Sequence, residues 1–176
     1  MGARRKSTKQ LAMAALLTAM SVILLALGAL VEVLDISMAV IASFAVILAV
    51  IELKGAYSYL IYVATAVLAV ALLPIKTPAV MYALFFGYYP IIKEKIERFL
   101  PRWAGFLLKI VIFNLALLGM VWLATLLTLP DFLLPEGLQW LWFAVCTPVF
   151  VVYDVALTRV LTFYLVRLRK RFRFFK

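Results

Sequence analysis

Three ionisable residues lie inside otherwise apolar stretches of this chain: Lys109, Asp154 and Arg159. A charge held in hydrocarbon is costly, so each marks a place where chemistry could be done. Lys109 and Arg159 have long stems that can carry their charges toward the headgroups. Asp154 is too short for that and needs a partner in the interior. Arg159 is five positions away, off the three- or four-residue spacing of helical neighbours. Lys109, at similar depth on an antiparallel segment, is therefore the expected partner. Such a pair has two readings: a proton- or ion-coupled site, or a structural ion pair that fixes how two helices pack.

A second feature is the crowding of Tyr82, Phe85, Phe86, Gly87, Tyr88, Tyr89 and Pro90 into nine positions. Pro90 has no N–H for the carbonyl of Phe86, and Gly87 weakens the same turn. A kink or helix end is expected at residues 87–90. It is either a kinked end carrying an aromatic belt or a broken helix whose backbone lines a cavity. Asn114, Thr147-Pro148, Ser37 and Ser43 are further polar or helix-breaking positions, each a candidate for hydrogen bonding between helices. A third feature is Ala12, Ala15 and Ala19, a stripe of small residues that lets another helix approach closely. It serves packing within the bundle or docking of a separate membrane subunit.

Other chemistry has no residues to work with. The chain has no histidine and a single cysteine, Cys146. Zinc, haem, a histidine proton relay and an intrachain disulfide are not expected. No nucleophile motif, phosphate loop or pair of acids within one apolar segment is present. Neither an enzyme nor a cofactor is expected, and no catalytic or metal-binding residue is assigned.

The elements that position these residues follow from composition. Hydrophobic residues make up 68% of 176, with a mean hydropathy of +1.13. A soluble fold this small has too little interior for so much apolar surface, so the expected solvent is lipid. A bilayer core of about 30 Å takes roughly 20 apolar residues per helix. Six spans are expected, at about 11–31, 36–51, 56–73, 79–92, 103–128 and 138–166. The segments are apolar on all sides, which excludes the alternating strands of a β-barrel. Met1–Gln10 is basic and precedes an apolar stretch too long for a signal peptide, so the stretch is read as a retained first helix.

The net charge is +10, and its distribution points to topology rather than to nucleic acid. Fifteen of the 18 basic residues fall in the N-terminus, the 2–3 turn, the 4–5 connector and the tail 167–176. The opposite loops hold Lys76 with Glu32, Asp35, Asp131 and Glu136. Basic loops favour the cytoplasm. The expected fold is thus an all-α membrane protein, a six-transmembrane-helix bundle with both termini in the cytoplasm. Lys93–Arg102 is read as a charged connector that continues helically past the membrane. The basic tail, with Phe172, Phe174 and Phe175, is a candidate lipid-surface anchor.

A basic N-terminus, a first span carrying Ala12, Ala15 and Ala19, six spans and this length together resemble the substrate-binding (S) subunits of energy-coupling factor transporters. The stretch Tyr82–Lys93, with Phe-Phe-Gly-Tyr-Tyr-Pro, is similar to one in uncharacterised six-span proteins of Gram-positive bacteria related to that group. The resemblance implies that span 1 docks onto a transmembrane coupling subunit that works with ATPases, and that a small molecule is captured. S subunits hold substrate toward the outer half with polar side chains. Here the outer halves of spans 4–6 are mostly apolar, with Trp122, Trp140 and Trp142, so the substrate implied is apolar or aromatic, or there is none. Two rival readings stand beside this one: a non-transporting scaffold of the cell-envelope or rod-shape machinery, and a small ion-coupled carrier using Asp154.

Overall fold

Long apolar runs become helices, because a helix satisfies its own backbone polar groups where water is excluded. The computed structural model describes residues 2–53, 56–126 and 139–168. Every regular element among them is helical. In chain order these are α1 (Gly2–Leu30), α2 (Asp35–Glu52), α3 (Ala56–Leu72), α4 (Thr77–Met81), α5 (Tyr89–Phe99), α6 (Arg102–Leu126) and α7 (Gln139–Phe163). A π-helical turn, Tyr82–Phe86, follows α4, and another, Tyr164–Leu168, follows α7.

Four helices are long and apolar enough to cross a membrane, over Thr8–Leu30, Asp35–Glu52, Arg102–Leu123 and Phe143–Val166. The third expected span, 56–73, forms the helix Ala56–Leu72, which is apolar but only 17 residues long. The fourth is not one helix: α4, the π turn and α5 divide it. The chain falls into two compact units, Met1–Phe132 and Leu133–Lys176. The expected loop residues Asp131 and Glu136, Trp140 and Trp142, and the basic tail from Arg169 lie outside what is described of the chain or its side chains.

In the first unit α1 packs against α2 and α3, and α2 also meets α4, the π turn and α5. The α2 face of this packing is an alanine stripe, Ala39, Ala42, Ala45 and Ala49, all fully buried. Small side chains bring the backbones close, which is how helices gain contact in lipid. α1 answers with Ala14, Leu17, Ser21 and Leu25, all buried. Ser21 Oγ donates to Leu17 O at 2.9 Å and lies 3.4 Å from Ala42 O across the interface. At the connecting turn, a Cβ on Gly28 would sit 3.0 Å from Met38 Cβ, so glycine is the residue that fits this approach.

That turn differs from the expected loop. Glu32–Leu34 forms one 3₁₀ turn, and Asp35 opens α2 as a buried residue. The unpaired N–H groups of a helix start favour a carboxylate there, which suits Asp35 to the position. Lys76, the sole basic residue of the expected outer loops, also has a local task. Its Nζ donates to Val70 O and Leu73 O at 2.7 and 2.6 Å, capping carbonyls at the end of α3.

In the second unit α7 contains Pro148 within its length. Thr147 Oγ1 donates back to Phe143 O at 2.7 Å beside it. Thr158 and Thr162 likewise donate to carbonyls four residues earlier.

Candidate functional site

The most distinctive local structure is the interruption between α4 and α5. Gly87 N donates to Tyr82 O at 2.8 Å, five residues back rather than four. Such widened turns concentrate at functional sites. The cause is local sequence. Pro90 cannot donate a helical hydrogen bond, so the helix restarts with Pro90 in the first turn of α5, where no such bond is needed. Tyr88 O then accepts from Ile91 N and Ile92 N.

α3 braces the interruption. Tyr62 OH donates to Ala83 O at 2.7 Å, from one helix into the π turn. Its ring meets Tyr82 at 6.3 Å and Tyr88 edge-on at 6.1 Å between centroids. Gly87 lies under the same ring, so close that a Cβ would fall 2.5 Å from Tyr62 Cδ2 and 2.8 Å from Tyr82 Cε1. On the far side Phe85 stacks on Tyr89 at 4.9 Å and meets Phe113 of α6 at 5.2 Å. Tyr82, Phe85, Gly87, Tyr89 and Pro90 are buried, while Tyr88 and Asn114 are partly buried. Asn114 Nδ2 donates to Ile110 O within its own helix.

Hydroxyl groups run along the α3 face of this region. Ser58, Tyr62 and Thr65 are spaced four and three apart, which places them on one stripe. Ser58 Oγ, Thr65 Oγ1 and Tyr82 OH are all buried without a hydrogen-bond partner. A buried hydroxyl without a partner costs about 1–3 kcal/mol. The arrangement supplies hydrogen-bond donors and aromatic faces in an apolar surround. Among the described residues no group of three or more His, Cys, Asp or Glu could hold a metal ion.

The second polar feature joins α5 to α6. Lys93 and Lys109 are buried, at 5% and 7% exposure. Both reach Glu97 Oε1, at 3.1 and 2.6 Å. Sequence reasoning paired Lys109 with Asp154; the acid seated on Lys109 within its own unit is Glu97, from a connector that the helical reading carried past the membrane. Asp154 lies part-buried on α7 in the second unit, and Arg159 is exposed on the same helix. The structure therefore brings Tyr82, Gly87, Tyr88, Tyr89 and Pro90 together, while Asp154 and Arg159 belong to the second unit and are described within it.

Ala12, Ala15 and Ala19 are all exposed. The alanine stripe that packs inside the first unit is on α2. Tyr62, Thr65 and Ser58 were missed as site residues, although three hydroxyls at helical spacing in an apolar run were a readable signal. Glu97 carried no such signal, because α5 alternates acids and bases along its exposed side. Comparison with known protein families, with curated proteins and with solved structures finds no match.

Proposed function

We propose that this chain is a six-span bacterial plasma-membrane protein with both termini in the cytoplasm, acting as a substrate-capture subunit that docks to a coupling subunit through α1. The observation that carries this reading is the division of labour on α1. Ala14, Leu17, Ser21 and Leu25 are buried on a helix that packs against α2 and α3, while Ala12, Ala15 and Ala19 form a second small-residue stripe that is exposed. Small residues open the helix backbone to a further close-packed helix, and α2 already supplies the partner needed inside the unit.

Six crossings require α3 and residues 77–92 to span. The 17 residues of α3 reach about 25 Å at the helical rise, a modest mismatch that bilayers accommodate. The interrupted segment is the type of element that lines binding sites in transporters. The buried hydroxyls and aromatic rings around its π turn are the proposed capture region, suited to a small, largely apolar ligand with one or two polar groups. No ATP-binding motif is present in the sequence, so energised uptake requires separate ATPase subunits.

The test is purification from native membranes in mild detergent. Recovery of an ATPase and a second membrane subunit, lost in A15W/A19W while the variant stays monodisperse, is the expected result. Recovery of cell-wall enzymes instead would replace uptake by the scaffold reading. A C-terminal fluorescent-protein fusion reports topology separately: a dark fusion would overturn the cytoplasmic C-terminus.

A further inference from the structure

The corner between α5 and α6 carries exposed aromatic residues and basic side chains side by side. Phe99 is 76% exposed and Trp103 is 87% exposed, and Phe106 follows one turn later, also exposed. Leu100 is extended, at φ −111° and ψ 148°, as the residue before a proline prefers. Pro101 then turns the chain into α6. The end of α5 and the start of α6 meet at this corner.

Three cations share that corner: Lys95, Arg98 and Arg102, all exposed. Arg98 lies over the Phe99 ring at 5.7 Å, and Lys95 over the Tyr59 ring at 5.1 Å. None of the three makes an ion pair with a described carboxylate. Glu97 is occupied by Lys93 and Lys109, and Glu94 is the remaining acid of α5. The local balance is positive.

Depth is set by the neighbouring helix. Arg102–Leu123 is 22 residues long and apolar enough to cross a membrane. At the helical rise it is about 33 Å long, close to the thickness of a bilayer core. Its first residues therefore sit at one water–lipid boundary. A tryptophan there occupies the level where indole is favoured, and basic side chains beside it reach lipid phosphates.

We propose that this corner is a binding site for the headgroups of anionic phospholipids, with Phe99 and Trp103 inserted beside the acyl chains and Arg98, Arg102 and Lys95 on the phosphates. The site rests on the reading of α6 as a membrane span. It uses none of the residues of the basic tail or of the α1 stripe. Charge complementarity favours an anionic lipid over an apolar protein surface, which would supply no counter-charge to the three cations.

The experiment uses the full chain with Trp103 as its only tryptophan (W122F/W140F/W142F). It is reconstituted into phosphatidylcholine vesicles doped with brominated phosphatidylglycerol or brominated phosphatidylcholine. Bromine quenches indole only at short range. Stronger quenching by the glycerol lipid is expected, weakened by salt. Each basic residue near an anionic surface contributes about fivefold, so R98Q/R102Q should lower the preference by more than tenfold. R171Q/R173Q, which removes two tail charges, should leave it unchanged. Equal quenching by the two lipids, or equal loss in both double variants, overturns the proposal. Absence of quenching by either lipid also overturns it, and flotation of the vesicles then tells whether the protein is in the membrane at all. If the single-tryptophan chain does not fold, native mass spectrometry of wild type and R98Q/R102Q counts retained phosphatidylglycerol; equal retention overturns the proposal.

Discussion

Replacing Gly87 by alanine isolates the packing of the interrupted helix. The backbone there is ordinary right-handed helix, φ −74° and ψ −43°, so alanine meets no conformational penalty. By helix propensity alone the change would stabilise by about 1 kcal/mol. The surroundings oppose this. The new methyl would lie 2.5 and 2.9 Å from Tyr62 Cδ2 and Cε2, and 2.8 Å from Tyr82 Cε1. Tyr82 is fully buried, and Tyr62 is tied to Ala83 O at 2.7 Å, so neither ring can retreat at no cost. Overpacking of this kind costs about 1–3 kcal/mol, and displacing the Tyr62 hydrogen bond about 1 kcal/mol more. The net expectation is a loss of about 2 kcal/mol, or roughly 4–8 °C in Tm for a chain of this size. Thermal unfolding in detergent, followed by fluorescence or size exclusion, measures it. In a Tyr62→Ala background the cost should shrink by at least about 1 kcal/mol, because the closer of the two rings is gone. A Gly87→Ala protein as stable as wild type, or additive behaviour of the two changes, would refute the packing argument.

Other consequences follow from single contacts. Glu97→Gln should destabilise more than Lys109→Met, since it weakens both lysine contacts while the methionine leaves Lys93 on its carboxylate; equal losses in Tm would count against a shared acid. Lys76→Met should raise amide hydrogen exchange at the α3–α4 junction, and Lys76→Arg should largely restore protection, because the carbonyls of Val70 and Leu73 lose their donor in the first case only. Ser21→Ala should cost no more than about 1.5 kcal/mol, one modest hydrogen bond, whereas Ser21→Leu should disrupt the α1–α2 contact; comparable stability of the two variants would show that the contact is looser than described. Trp103→Ala should leave Tm nearly unchanged, since 87% of that residue is exposed, while weakening the lipid preference at the α5–α6 corner.

What the sequence by itself determined was local. Unbroken apolar runs specify helices wherever lipid or protein excludes water, because the backbone has no other way to satisfy its polar groups. Pro90 and Gly87 specify an interruption through sterics that act within a few residues, whereas the connector 93–102, read as continuing helically, ends its helix at Phe99 because Leu100 before Pro101 is extended. Tertiary structure decided which face of each helix is used. A helix apolar all round carries little periodic signal, and lipid is as apolar as leucine, so no hydrophobic difference marks the inner face. Two alanine stripes, Ala12/Ala15/Ala19 and Ala39/Ala42/Ala45/Ala49, therefore read alike in sequence, yet the structure buries the second and exposes the first. The same holds for polar contacts. The reach of Tyr62 to Ala83 O and of Lys109 to Glu97 depends on how neighbouring helices are set in rotation and depth, which spacing along one helix does not encode.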